Sequence, residues 1–272
     1  DIGRYIDLTA YVDEPQHRLE VYLDAPQVMY ANQHIQNLQA TVATVNDELA
    51  VNLSGARVDD AGRHITLNLN GETQNGVFTA KSHFNAEGRN QLFGDINCQA
   101  TFARQQGKLA TLIHFHPSII EIDTISLQVQ PSDMVYARNT LDIKHFEISN
   151  KDQHIIVNGQ TTGSANDSLT VQLKDLDVPY ILDIVNFHSV EFGGYASGNI
   201  VLKQAFTNPQ ATASLNVTDF TFEEGHLGTL FVDANYKHSE GRINIEAHAD
   251  EGENRTNVGG YVDLKRSYIS LP

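Results

Sequence analysis

From Tyr5 to Leu271 the chain alternates apolar and polar residues in one short run after another. Leu49, Val51 and Leu53 point one way while Asn52 and Ser54 point the other. Ile65, Leu67 and Leu69 repeat the pattern, as do Ile96, Cys98, Ala100 and Phe102. Leu109, Thr111, Ile113 and Phe115 follow it too, and later Ile243, Ile245 and Ala247. A period of two is that of a half-buried β-strand. Repeated this often, it predicts one long sheet with a wet face and a dry face. What covers the dry face is then the functional question.

Turn chemistry separates the runs. Asn70-Gly71, Asn75-Gly76 and Asn158-Gly159 accept positive φ and suit tight hairpins. Asp59-Asp60-Ala61-Gly62, Glu87-Gly88 and Gln106-Gly107 read the same way. Such spacing leaves room for roughly twenty strands. Val178 to Phe187 is the segment that reads as helix, with Pro179 at a first helical position and Ile181, Leu182, Ile184 and Val185 at helical spacing. Its bland role is to pack on one end of the sheet; its functional role would be a plug or lid. Gln27 to Ala40 has too thin an apolar face for a helix and reads as loop and strand.

Hairpin-linked strands without long helices exclude a βαβ fold, and a compact sandwich needs fewer strands. The expected class is all-β, an elongated curved or coiled sheet with at most one short helix, each strand packing mainly on its neighbours. Small residues recur at inward positions, Ala100, Ala211, Ala213, Ala247 and Gly260, and either leave a groove or let two walls approach closely.

The 272 residues suffice for a sizeable core, and 40% apolar content is too high for disorder. Lysine and arginine total 18 against 34 acidic residues, a formal charge of −16. Such a surface repels phosphate backbones and anionic headgroups, which argues against nucleic-acid partners and adsorption on an anionic bilayer. The single cysteine, Cys98, permits no intrachain disulfide and reads as a small buried hydrophobe. No run approaches the roughly 18 apolar residues of a membrane helix. The chain opens on Asp1 without an initiator Met and ends soon after Tyr268, so it reads as a fragment of a longer protein, and missing targeting signals carry no weight.

The last third carries a recurring grammar. Gly193-Gly194-Tyr195-Ala196-Ser197-Gly198-Asn199-Ile200-Val201-Leu202 leads to Asn208-Pro209-Gln210-Ala211, then Leu215-Asn216-Val217-Thr218-Asp219 and Leu227-Gly228-Thr229-Leu230. Ile243-Asn244-Ile245-Glu246-Ala247 and Val258-Gly259-Gly260-Tyr261-Val262 close the unit. This order resembles the repeats of TamB, of the AsmA-like envelope proteins. Asp123-Thr124-Ile125 to Gln130-Pro131-Ser132, Asp152-Gln153-His154-Ile155 to Asn158-Gly159, and Asp167-Ser168-Leu169 extend the likeness. It covers residues 115–272 by motif and 1–114 by pattern, as two segments of one continuous unit. Gln204-Ala205-Phe206, before Thr207-Asn208-Pro209, departs from it, since such repeats often place a glycine there.

The resemblance implies a sheet folded along its length with an apolar inner lining. It also implies the periplasmic part of an inner-membrane-anchored protein, which moves phospholipid to the outer membrane or supports outer-membrane protein assembly. The implied partners are phospholipid acyl chains, a TamA-like outer-membrane barrel protein and outer-membrane protein clients. No cofactor, metal or enzymatic activity is implied. The expected lining is Ile200, Leu202, Leu215, Val217, Phe220, Phe222, Leu230, Val232, Ile243, Ile245, Val262 and Leu264.

Other chemistry is weaker. His114 and His116 flank Phe115 on one face of a strand, and two imidazoles can bind a metal if a third ligand such as His83 or Glu121 arrives. Solvated strand histidines are the plainer account. Asp59-Asp60, Glu223-Glu224 and Asp250-Glu251 read as solvated turns rather than acid–base or calcium sites. No G-x-S-x-G, P-loop or H-E-x-x-H occurs. The asparagine sequons at Asn52, Asn166, Asn216 and Asn254 are expected by chance. Two rivals remain: a structural or adhesive β-solenoid with a closed interior, and a β-helical polysaccharide enzyme, which would need clustered carboxylates on one outer face.

Overall fold

The computed structural model describes residues 5–30, 33–45, 47–58, 62–87, 91–105, 108–122, 125–162, 164–184, 191–252, 254–263 and 268–270. They are almost all antiparallel strand, as the two-residue period predicts, in two compact units, 1–131 and 132–272.

The first unit contains β1 (Asp7–Asp13), β2 (Arg18–Tyr30), β3 (Gln33–Val45), β4 (Glu48–Val58), β5 (His64–Gln74), β6 (Val77–Glu87), β7 (Leu92–Gln105), β8 (Lys108–Phe115), β9 (Ser118–Ile122) and β10 (Ile125–Val129). From β1 to β7 each strand pairs with the next in sequence. β8 and β9 together line the far side of β7, interrupted at Pro117, which has no N–H to give the ladder. Ser118 bridges the gap: its hydroxyl accepts from the Asn97 amide at 2.9 Å and donates to the His116 carbonyl at 2.8 Å.

The second unit contains β11 (Ser132–Ala137), β12 (Thr140–Asn150), β13 (Gln153–Thr161), β14 (Ser168–Asp177), α1 (Val178–Ile184), β15 (Phe192–Lys203), β16 (Gln210–Phe222), β17 (Gly225–His226), β18 (Thr229–Lys237), β19 (Arg242–Glu251), β20 (Asn254–Asp263) and β21 (Tyr268–Ser270). It is again a meander, with β16 pairing both the short β17 and β18. The expected helix forms as α1; Val185, Asn186 and Phe187 lie outside the described residues. Gln27 to Tyr30 and Gln33 to Ala40 are strand.

Two of the three expected Asn-Gly turns are not turns. Asn75-Gly76 joins β5 to β6 with φ of 52° and 76°. Asn70-Gly71 instead lies within β5, where the Phe78 ring occupies the space that a Cβ on Gly71 would need. Asn158-Gly159 lies within β13, where a Cβ on Gly159 would stand 2.2 Å from the Ser168 carbonyl oxygen. Glycine serves there for close approach, not for reversal. Of the other expected turns, Asp59 to Ala61, Gly88 and Gln106-Gly107 lie outside the described residues.

The long strands are interrupted by a repeated device. Pairing slips between Gln36 and Gln39, between Ile143 and Phe146, between Leu173 and Leu176, and opposite the Gly193–Tyr195 step. At each slip one polar residue takes a left-handed conformation: Asn37 (φ 50°), His145 (56°), Asp175 (49°) and Asp219 (50°). These are β-bulges, which bend a strand and raise its twist. Each also resets the alternation by one residue, so the apolar side chain after the bulge returns to the face of the one before it.

Candidate apolar trough

The registers align apolar side chains into rows that cross the strands. In the second unit Met134, Ile143, Gly159, Leu169, Leu202, Ala211, Tyr236, Ile243, Val262 and Ile269 occupy directly opposed positions. The next row is Phe146, Val157, Val171, Ile200, Ala213, Ala234, Ile245 and Gly260, and the next Ile148, Ile155, Leu173, Gly198, Leu215, Val232, Ala247 and Val258. A fourth runs Leu176, Ala196, Val217, Leu230 and Ala249. Directly opposed residues of an antiparallel sheet share a face, and none of these rows contains a charge.

The expected lining residues fall on this face. Leu202, Ile243 and Val262 are in the first row, Ile200 and Ile245 in the second, Leu215 and Val232 in the third, and Val217 and Leu230 in the fourth. Phe220 and Phe222 lie past the Asp219 bulge beside Phe192, whose ring stacks on Phe220 at 6.1 Å and is tilted to Phe222 at 5.6 Å. Val217 and Phe220 are 6% exposed and Phe222 is 44% exposed. The remaining named residues are half-buried, and Leu264 lies outside the described residues.

Among the described residues the closest backbone approaches are between ladder neighbours, and α1 lies beside β14 and β15. Both ends are closed off. At one, Val178 of α1, Phe192 and Leu227 pack on Ala196, Val217, Phe220 and Ala249. At the other, Phe206, in the turn after β15, folds back to meet Tyr136 of β11, ring centroids 6.3 Å apart. Tyr136 opposes Leu141, and Leu141 opposes the fully buried Thr161, so this contact lies on the apolar face.

The first unit repeats the pattern. Leu8, Leu23, Ala40, Leu53, Leu69, Ser82 and Ile96 form one row, and Ala10, Val21, Val42, Val51, Gly71, Ala80, Cys98 and Phe115 another. Cys98 is half-buried there, and burial pushes its thiol pKa up. A row at the strand ends, Arg57, Ile65, Ala86, Leu92 and Ile122, admits one cation. Sequence reading named lining residues only after Ile200. The alternation that marks them is equally present in β12 to β14 and in the first unit.

The opposite face is polar. In the second unit Asn199, Ser214, Asp233 and Glu246 oppose one another across β15, β16, β18 and β19. With Val201, Thr212, Asn235 and the row residues Ala213 and Ala234 they line a depression of about 390 Å³. Glu147, also on this face, accepts hydrogen bonds from His145 Nε2 at 2.9 Å and His154 Nδ1 at 2.8 Å. The bond from His154 leads in holding its carboxyl below the ordinary range.

The metal and acid candidates do not assemble. His114 and His116 stack edge to face at 4.9 Å, while His83 bonds Asp95 at 2.9 Å. Glu121 opposes Phe93, and no group of three or more His, Cys, Asp or Glu suited to a metal occurs among the described residues. Glu223-Glu224 is a turn. Asp250 and Glu251 are the last two residues of β19 rather than a turn; Asp250 pairs with Arg255 at 2.7 Å, while Glu251 faces His226 at 3.4 Å. Asp59-Asp60 lies outside the described residues.

No protein-family model, no curated protein and no solved structure matches the chain. The likeness to TamB-like repeats stands on the order of its sequence motifs alone.

Proposed function

We propose that this chain is a periplasmic segment of a TamB-like envelope protein and shields lipid acyl chains on the apolar face of its sheet, for phospholipid transport between membranes. The observation that carries this reading is the set of uncharged apolar rows of the second unit. Moving hydrocarbon out of water is favourable by about 0.8 kcal/mol per CH₂. A path of low barrier needs uniform apolarity without deep pockets or charges. The rows offer mostly Leu, Ile, Val and Ala, with Met134, Phe146, Tyr236 and glycines among them, and are bounded at the strand ends by α1 and Phe206. A headgroup would stay in water at the rim. Transport partners, a TamA-like barrel protein among them, follow from the sequence likeness.

A closed solenoid would need large residues meeting across facing walls all along the rows. A polysaccharide enzyme would need clustered carboxylates on the wet face. Asp233 opposite Glu246 is one such pair and falls short of a cluster.

Native mass spectrometry of the purified chain, with extraction and analysis of bound lipid, tests the proposal. Phospholipid should accompany the wild type and be lost from Val232→Asp and Ile245→Asp, which replace half-buried row residues, while circular dichroism keeps its strand signature. A chain that stays lipid-free after incubation with detergent-solubilised phospholipid would overturn it.

A further inference from the structure

The wet face of the second unit sets two aromatic side chains among polar ones. Phe231 of β18 is 40% exposed and Tyr195 of β15 is 43% exposed. Tyr195 opposes Thr218 and Phe231 opposes Asn216, so both share the face of these two β16 residues. β16 runs between them, and two strand spacings put about 10 Å across the sheet between the pair. On its other side Phe231 opposes His248 of β19 and stacks on it, centroids 5.0 Å apart and planes 20° from parallel. His248 thus takes one face of the Phe231 ring and leaves the other turned towards β16.

Along the strands this platform runs into the polar depression. Asp233 follows Phe231, and Ser214 precedes Asn216, by one same-face step of about 7 Å. The depression, about 390 Å³, has the size of a small-molecule site. Among the described residues Asn199, Ser214, Asp233 and Glu246 have no side-chain hydrogen-bond or ion-pair partner. Asp233 opposes Glu246 directly, an unfavourable placement of like charges.

The mixture of groups selects the ligand. Asp233 and Glu246 repel anions. A divalent cation needs more oxygen ligands than these two carboxylates supply and gains nothing from Phe231. A pyranose ring uses every group. Its C–H face packs on an aromatic ring, its hydroxyls donate to the carboxylates, and they exchange hydrogen bonds with the amides and hydroxyl of Asn199, Asn216 and Ser214.

We propose that this face binds an uncharged glycan, with one sugar ring against Phe231 and the hydroxyls of the next in the depression at Asp233 and Glu246. Each hydroxyl donated there relieves the carboxylate pair. The site lies on the face opposite the apolar rows and stands independently of the lipid reading.

The test is saturation-transfer NMR on the whole chain with cellohexaose and with chitohexaose, soluble uncharged glycans with flat C–H faces, and calorimetric titration for affinity. At least one should bind. Phe231→Ala and Asp233→Ala should each weaken it about tenfold, as loss of an aromatic contact or of a hydrogen bond to a charged group does. Phe231→Tyr keeps the platform and should keep the affinity. The circular dichroism spectrum and lipid retention should be unchanged in all three variants. Failure of both glycans to bind, or binding untouched by Phe231→Ala, overturns the proposal. So does displacement of the glycan by calcium or by tetralysine, which would make the carboxylate pair a site for cations.

Discussion

Gly194 stands across from Asp219 where β15 and β16 fall out of register, and both have left-handed backbones, φ 118° and 50°. A Cβ on Gly194 would meet the Thr218 carbonyl oxygen at 2.6 Å. The pair turns Phe220 and Phe222 back onto the face of Val217, where unbroken alternation would have turned them to water.

Gly194→Ala should therefore destabilise the second unit by about 1–3 kcal/mol, the usual cost of a non-glycine residue forced into such a conformation. Asp219→Val should cost about 1–2 kcal/mol and Asp219→Gly little or nothing. Urea unfolding with fitted midpoints and slopes checks the order. Equal midpoints for the valine and glycine variants would contradict it.

The carboxyl of Glu147 titrates below its ordinary value of 4.5 because His154 and His145 donate to it. Its bonds therefore contribute stability above that ordinary value, and the contribution is lost as pH falls through the lowered one. Glu147→Gln should lower Tm at neutral pH, and the gap from wild type should shrink towards about pH 3. A gap that is constant across this range would show that the ionised carboxylate does not matter.

Phe206 and Tyr136 meet from elements separated by β12, β13 and β14. A double-mutant cycle of Phe206→Ala and Tyr136→Ala should give a coupling of about 0.5–1.5 kcal/mol, as for other aromatic pairs. Additive effects would mean that the turn does not close that end of the trough.

Cys98 sits among the apolar rows of the first unit with its thiol pKa raised by burial. Reaction with a neutral-pH disulfide reagent should be slow in the folded chain and fast in denaturant, since the thiolate is the reactive form. Equal rates would place the thiol in water.

The all-β class, the meander and one face of the rows are legible in the sequence because they follow from a period of two and from turn residues. The bulges were not anticipated, although their signature is present. Ile35-Gln36-Asn37-Leu38, Ile143-Lys144-His145-Phe146, Leu173-Lys174-Asp175-Leu176 and Val217-Thr218-Asp219-Phe220 share one form. Each is an apolar residue, two polar ones and an apolar residue, with Asn, His or Asp at the left-handed position. Short polar side chains tolerate that conformation, and Asp175 is held across the ladder: its amide donates to Ser197 Oγ at 2.9 Å and Ser197 Oγ donates to Asp175 Oδ1 at 3.2 Å. An apolar spacing of three in a strand pattern thus marks a bulge. Asn70-Gly71 and Asn158-Gly159 misled because a dipeptide that permits a turn also permits close approach, and only the neighbouring Phe78 or Ser168 decides between them.

Acyl chains on the apolar rows are the central claim, and photocrosslinking tests it most directly. A phospholipid carrying a diazirine near its acyl terminus would be incubated with the intact chain, irradiated, and the adducts mapped by peptide mass spectrometry. The account predicts adducts on row residues such as Ile200, Leu215, Val232 and Ile245, and none on the wet-face residues Thr212, Ser214 and Asn235 of the same strands. Adducts spread equally over both faces, or confined to the wet-face depression, would contradict it.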